Sequence, residues 1–437
     1  MGRGITKLSV AGFKSIAKEA SLDIKPLTLL AGANSSGKSS FMQPLLLLKQ
    51  TLAASHDPEL PLTLNGGNAK FTSVDQFLTK EKSSQQKFSI EIYSDIDSYK
   101  TVFGSNKCGE RLTVEHVEFK EFPRGKIAVI QVNMTKEEML SAVKGSWRFE
   151  RAYKMRGTPD IDQSKLCVAR NRFFLEIVEK RGNDSGGYSA ILLSTRHAPV
   201  IENIPYMIHV PGLRGNPERA YPTTGTGPTF PGTFEHYTAS IIANWKDDGR
   251  LNLLCNNLES IGLTSRVSAK RLNDAQIEVL VGRLPKNGRG KSDMVNIADV
   301  GFGVSQTLPV LVALLVAKPG QLVYLEQPEI HLHPRAQRAL AEILVEAANR
   351  GVKVVAETHS SLLLLSVQTL IAQQKIDKNN VALHWFQRDK TGMTEVTAAE
   401  LDDAGRFGEW PVDFVEVELE AEGTYIDAIT TARRGRK

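Results

Sequence analysis

Cysteine is scarce in this 437-residue chain: Cys108, Cys167 and Cys255 stand far apart with no CxxC spacing. That excludes a disulfide framework and a sequence-coded zinc site, and it fits a reducing cytoplasm. Long hydrophobic runs are missing too. The longest, Leu45–Leu48 and Leu308–Ala317, fall well short of the roughly 20 residues that cross a bilayer, so no membrane partner is expected. No signal-peptide core is present, which again points to a cytoplasmic protein. There is no low-complexity tract, no internal repeat and no strong excess of one charge, the formal net charge being +5. Such a balance permits nucleic-acid contact without demanding it, because basic residues must cluster to act. What is left is an ordinary globular composition, 41% hydrophobic and 24% charged. The chain has room for two domains, or for one large domain with an insertion.

Apolar residues alternate over Leu8–Phe13 and Leu22–Leu30, predicting two strands. The sequence after Lys38 predicts a helix that Pro44 must kink or restart. Period-two segments starting at Phe88, Arg111 and Lys126 predict antiparallel strands with one buried face. Helices are expected at Lys136–Val143 and Ser164–Lys180, together an inserted helical subdomain. Val210–Phe234 is dense in Gly, Pro and Thr and predicts loop; helices are expected at Tyr237–Trp245 and Leu251–Ile261. A hairpin carrying the basic loop Arg283–Lys291 precedes a change at Val300 to alternating helix and buried strand, the mark of a parallel α/β layer. The expected division is residues 1–133 as an N-terminal lobe, 134–204 as the helical insertion and 205–437 as a C-terminal lobe.

Four motifs carry chemistry. Gly32-Ala33-Asn34-Ser35-Ser36-Gly37-Lys38-Ser39, with Ser40 behind it, fits G-x-x-x-x-G-K-[ST] between a strand and a helix. Its glycines let backbone N–H groups surround phosphates; Lys38 is expected on the β- and γ-phosphates and Ser39 on Mg2+. The second motif, Gln321–Pro334, is a buried strand that ends in acids. Glu326 stands where a metal-shell acid belongs, Gln327 stands at the water-activating position, and Glu329 is the nearest alternative base. The third, Val352–Ser361, is another apolar strand, ending at Glu357, Thr358 and His359. A histidine there suits a γ-phosphate sensor. The fourth opens at Val300 with Gly301, Gly303 and Ser305 ahead of an amphipathic helix whose free N–H groups suit a phosphate supplied by another subunit.

This order of motifs resembles the ABC-type ATPase heads of the SMC, RecF and OLD group. Within it, "EQPEIHLHP" and "ETHS" are most similar to prokaryotic AAA-type ATPases. The likeness covers about residues 1–80 and 205–415 and is weak between. It implies an α/β fold: a mixed sheet around the phosphate loop, an antiparallel β subdomain and the inserted helices. It also implies an ATPase using ATP and Mg2+. Lys38 and Ser39 would hold phosphate and metal, Glu326 the metal shell, His359 the switch position, and Gly301–Gln306 the signature that acts in trans. Lys14 falls where relatives carry a basic residue reaching the nucleotide. Arg214 lies in a family-like motif with no derivable role, beside Arg219, and Gln76 is a candidate Q-loop residue. Three departures stand out: the signature lacks the Ser-Gly-Gly order, glutamate replaces the usual metal-shell aspartate, and Gln327 cannot accept a proton, which implies slow hydrolysis.

The resemblance further implies a homodimer or higher oligomer closed by ATP. On that basis the chain is expected to act as a sensor or scaffold in antiviral defence, controlling a separately encoded effector, a nuclease or toxin. The alternative is a RecF-like DNA-binding ATPase in repair. Arg283–Lys291 and the tail Ala432–Lys437 bear on that choice, although no aromatics interleave with them. His331 and His333 read as structural or interface residues.

Overall fold

The computed structural model describes residues 4–57, 59–80, 86–105, 111–122, 126–145, 161–181, 188–196, 198–245, 249–283 and 293–408. The basic loop Arg283–Lys291, after its first residue, and the tail beyond 408 therefore lie outside the described residues. Strands are numbered along the chain. Those of the first half are β1 (Lys7–Ala11), β2 (Ala20–Asp23), β3 (Leu27–Gly32), β4 (Lys87–Tyr93), β5 (Asp97–Ser105), β6 (Leu112–Glu121) and β7 (Lys126–Gln131). Next come β8 (Leu166–Asn171), β9 (Phe174–Arg181), β10 (Tyr188–Ser194), β11 (Ile208–Val210) and β12 (Tyr221–Pro222). The rest are β13 (Val267–Arg271), β14 (Gln276–Gly282), β15 (Met294–Asn296), β16 (Leu322–Glu326), β17 (Lys353–Thr358), β18 (Val381–Arg388) and β19 (Thr394–Ala398).

The central sheet has the order β11-β16-β17-β3-β18-β19 and is parallel except at β19. Its strands are buried on both faces, so they read as continuous apolar runs. In β3, Leu27, Leu29 and Ala31 enter one core while Leu30 enters the other. β16 divides likewise, with Val323 and Leu325 on the first face and Tyr324 on the second. The helices Phe302–Val316, Pro334–Asn349 and Ser361–Ala372 cover the first face. The helix Lys38–Ala53 covers the second, beneath the antiparallel sheet β2-β1-β4-β5-β6-β7. Two layers enclose that helix, which is why Phe41, Met42 and Pro44–Thr51 are all buried. All five parallel strands end at one edge, the place where open α/β sheets bind ligands.

The mixed sheet and the antiparallel subdomain are as expected; several local readings are corrected. The expected strand Leu22–Leu30 is two, β2 and β3, broken at Pro26, where Lys25 N–H turns to Thr28 Oγ1 at 3.0 Å. The helix after Lys38 neither kinks into two nor restarts: it runs 16 residues through Pro44. Only the bond to the Ser40 carbonyl is forfeited, and Pro44 is buried among leucines. The expected helix Ser164–Lys180 is the hairpin β8–β9, closed by Arg172 at φ 55° and extended by β10 into a three-stranded sheet. Among the described residues of 134–204, strand outnumbers helix, and the longest helix is Lys136–Gly145. Phe173 and Phe174 pack on Tyr99 of the large antiparallel sheet, a contact no local periodicity reports. The helix Phe302–Val316 is not amphipathic: Val304–Leu314 are buried all round. Among the described residues, no helix is long and apolar enough to cross a membrane.

Candidate nucleotide site

The loop after β3 has the backbone that its sequence requires. Gly32 has φ 149° and Gly37 φ 110°, and Gly37 stands immediately before the helix Lys38–Ala53. A Cβ at Gly32 would lie 2.2 Å from the Phe386 carbonyl oxygen, and one at Gly37 would lie 2.3 Å from Thr394 Oγ1. Only glycine fits either position. Ser35 is also left-handed, at φ 60°. From outside, Arg388 Nε donates to the Ser35 carbonyl at 2.7 Å, and the Thr394 hydroxyl donates to the Ser36 carbonyl at 2.8 Å. Neither brace, on β18 and β19, has a sequence signal. Ala33, Asn34 and Ser35 hold the loop's exposed side, Gly37 is buried, and Ser40 is half-buried in the helix's first turn.

Lys38 is nearly buried, and its ammonium donates to the Gly32 and Ala33 carbonyls, 2.8 Å each. Burial lowers its pKa to about 8, against the pull of Glu357 and then Glu329. Ser39 Oγ donates to Glu357 Oε2 at 2.7 Å. Glu357 reaches that position because β17 lies between β3 and β16, so its tip stands beside the phosphate loop. Tyr324 donates its hydroxyl to the other oxygen of Glu357. Burial, then the neighbouring Glu326, push the Glu357 carboxyl up to about 7. Sequence reasoning placed Glu357 at a strand end without giving it a role.

Glu326 is one strand further away, the register partner of Glu357. Its oxygens take His209 Nε2 at 3.0 Å and Gly212 N–H at 3.1 Å. Burial alone would raise the Glu326 carboxyl; the His209 bond and charge, Gly212 and Arg214 together bring it below its ordinary value. His209, on β11, is buried, stacks on Tyr324 and meets Asn68 Nδ2 through Nδ1 at 3.1 Å. A lone histidine in an apolar strand gave no hint of this.

Gln327 has φ 44°, a left-handed backbone held by its N–H bond to the Glu357 carbonyl at 3.1 Å. Non-glycine residues so placed concentrate at functional sites. Glu329 is buried; its Oε1 takes the Thr358 hydroxyl at 2.6 Å and His359 N–H at 3.1 Å, and its Oε2 has no partner. Burial raises its pKa, with those bonds opposing. The half-buried His359 ring bonds the Gly32 backbone; burial and then Lys38 lower its pKa, and that bond opposes them. The structure thus gathers Gly32, Lys38, Ser39, Glu326, Gln327, Glu329 and His359 at one sheet edge.

Arg214 acquires a place. Its guanidinium donates to the Gln306 carbonyl at 3.0 Å, and to the carbonyls of Glu326 and Gln327 at 2.9 and 3.2 Å. It therefore ties the Phe302–Val316 helix to the acid tip, and burial lowers its pKa to about 10. Arg219 instead pairs with Asp299 at the surface. Lys14 donates to Gln43 on the phosphate-loop helix at 2.6 Å, over the Phe71 ring. Gln76 is exposed and engaged with Thr72. Ser305 is buried and donates to the Phe302 carbonyl at 3.0 Å, so its hydroxyl faces its own helix; Gly303 packs beside Leu263. His333 caps the helix Pro334–Asn349.

A family model described as "AAA ATPase domain" matches residues 4–184. A second, described as "AAA domain, putative AbiEii toxin, Type IV TA system", matches residues 201–366. The two divide at the insertion, each taking one half of the site. Both halves of the site thus match AAA-type ATPase domains, and the chain is an ATPase. Among solved structures, this ATPase is similar to an SMC head bound to the C-terminal winged-helix domain of ScpA: 14% identity, 92% of this chain and 99% of that one, TM-score 0.42. It is also similar to the SMC head of Thermotoga maritima, with 11% identity, 91% and 99% coverage and TM-score 0.40. No curated protein matches the ATPase in sequence.

Proposed function

We propose that this ATPase dimerises around ATP and Mg2+ and controls a separately encoded effector, a nuclease or toxin, in antiviral defence. The observation that carries the nucleotide reading is the meeting of Ser39 with an acid more than three hundred residues away, at the end of a phosphate loop whose glycines admit no side chain. The donors there are hydroxyl and carboxylate oxygens, the set that Mg2+ prefers. When bound, Mg2+ supplies positive charge to the phosphate oxygens.

Lys38 leaves the loop carbonyls for the β- and γ-phosphates. Ser39 and Glu326 serve the metal shell, with His209 orienting Glu326. Gln327 positions the attacking water but cannot take its proton. Glu329, with a free buried oxygen and a raised pKa, is the group able to do so. His359, bonded to Gly32, reports the phosphate. The Gly301–Gly303 opening of a second copy then closes the site with backbone N–H groups. Ser305 joins only by giving up Phe302. Nucleotide thus biases a two-state assembly, and an effector that binds one state is held or released with it. The toxin–antitoxin wording of the second matching family supports an effector-linked role.

Mass measurement with a non-hydrolysable ATP analogue tests this. The wild-type chain should double in mass or assemble further, and K38A should not. An unchanged wild-type mass would refute the clamp. Co-purification of a neighbouring gene's product supports the effector reading; salt-dependent DNA binding without such a partner would replace it with repair.

A further inference from the structure

We propose that Glu357 is a second carboxylate of the divalent-cation shell, so that the metal is shared by two adjacent strand tips, Glu326 and Glu357. This rests on the nucleotide reading above and concerns the same edge of the sheet. Glu357, not Glu326, touches the Ser39 hydroxyl, at 2.7 Å. Both oxygens of Glu326 are turned to His209 and Gly212. As register partners on parallel strands, Glu326 and Glu357 leave the sheet on one face at neighbouring positions. That is also the face of Tyr324 and the phosphate-loop helix.

A third carboxylate adds an independent indication. Glu329 is more than nine-tenths buried at the same strand tips, and its Oε2 has no partner. Lys38, which feels both Glu357 and Glu329, already spends its ammonium on two loop carbonyls. Arg214, the other fixed cation acting on Glu326 and Glu329, likewise spends its guanidinium on backbone carbonyls, so among the described residues no side-chain donor is left for the second oxygen of Glu329, and a divalent cation at these strand tips would offset the crowded carboxylates. Among the described residues, no group of three or more His, Cys, Asp or Glu side chains is placed to hold a metal ion by itself. Mg2+ needs none: it takes one or two carboxylates together with substrate phosphates and water. Tyr324, bonded to Glu357 from beneath, is the positioning residue that aims the carboxylate at Ser39.

Electron paramagnetic resonance of Mn2+ with the full chain and ADP tests the assignment, alongside nucleotide binding in EDTA. E357Q should weaken Mn2+ binding by roughly tenfold or more, as losing a ligand does. Its affinity for metal-free ADP should equal that of the wild type. Mn2+ held equally by E357Q and wild type would overturn the proposal. A wild-type chain that binds no ADP in either condition would overturn the nucleotide reading, and the proposal with it. If E357Q does not fold, Tb3+ luminescence on the folded wild type decides. Tyrosine-sensitised emission should fall in Y324F if the cation lies at Glu357, and emission unaffected by Y324F would overturn the placement.

Discussion

Lys49 is fully buried on the phosphate-loop helix and donates to the Phe230 and Gly232 carbonyls at 2.7 and 3.0 Å. Burial lowers its pKa from 10.5 to about 7. The unfolded chain therefore binds the extra proton throughout that interval, and stability must rise with pH across it. Below pH 7 the penalty is complete. Each unit corresponds to about 1.4 kcal/mol, and at pH 7 the folded amine is already half neutral, so moving to pH 9 recovers roughly 2 kcal/mol. K49M keeps the length of the side chain and removes the proton. It also leaves two carbonyls without a donor, a cost that does not vary with pH. Urea unfolding of both proteins at pH 7 and pH 9 isolates the effect, since groups that titrate alike in both cancel. The wild type should gain about 2 kcal/mol on K49M over those two units. A gap that is constant, or that moves the other way, would refute the buried-amine argument. The consequence reaches the site: Gly232 also accepts from Asn68 at 2.8 Å, Asn68 meets His209, and His209 holds Glu326.

Further outcomes are expected. K38A should abolish nucleotide binding in calorimetry, because among the described residues no other cation lies on the Gly32 and Ala33 carbonyls. Q327E should speed steady-state phosphate release and E329Q should slow it; a rate indifferent to E329Q would return the water to position 327. R214M should lose about 3 kcal/mol in urea unfolding, because the Gln306, Glu326 and Gln327 carbonyls lose a buried charged donor. A loss under about 1 kcal/mol would mean that water replaces it.

Local motifs were legible because their physics is local. A strand, two glycines with positive φ, a lysine and a helix start are consecutive, and the backbone can close around a phosphate with no help from afar. The Leu166–Arg181 segment misled for the opposite reason. Its Leu, Ile, Glu and Lys residues suit a helix as well as a strand, and pairing with β10 together with the Tyr99 contact made it a sheet. The buried helix Phe302–Val316 looked amphipathic because its glycines and polar residues gather at its start. Burial of its remaining faces comes from elements elsewhere in the chain.

The amino-acid sequence by itself determined the phosphate loop, the acid-tipped strands and the histidine that follows them, because short-range sterics and hydrogen bonding specify each. Tertiary structure alone decided which acid meets Ser39. Inserting β17 between β3 and β16 puts Glu357 within 2.7 Å and turns Glu326 to His209. Strand order is a property of the whole packed sheet, set by which faces can be buried together, and no window of residues contains it.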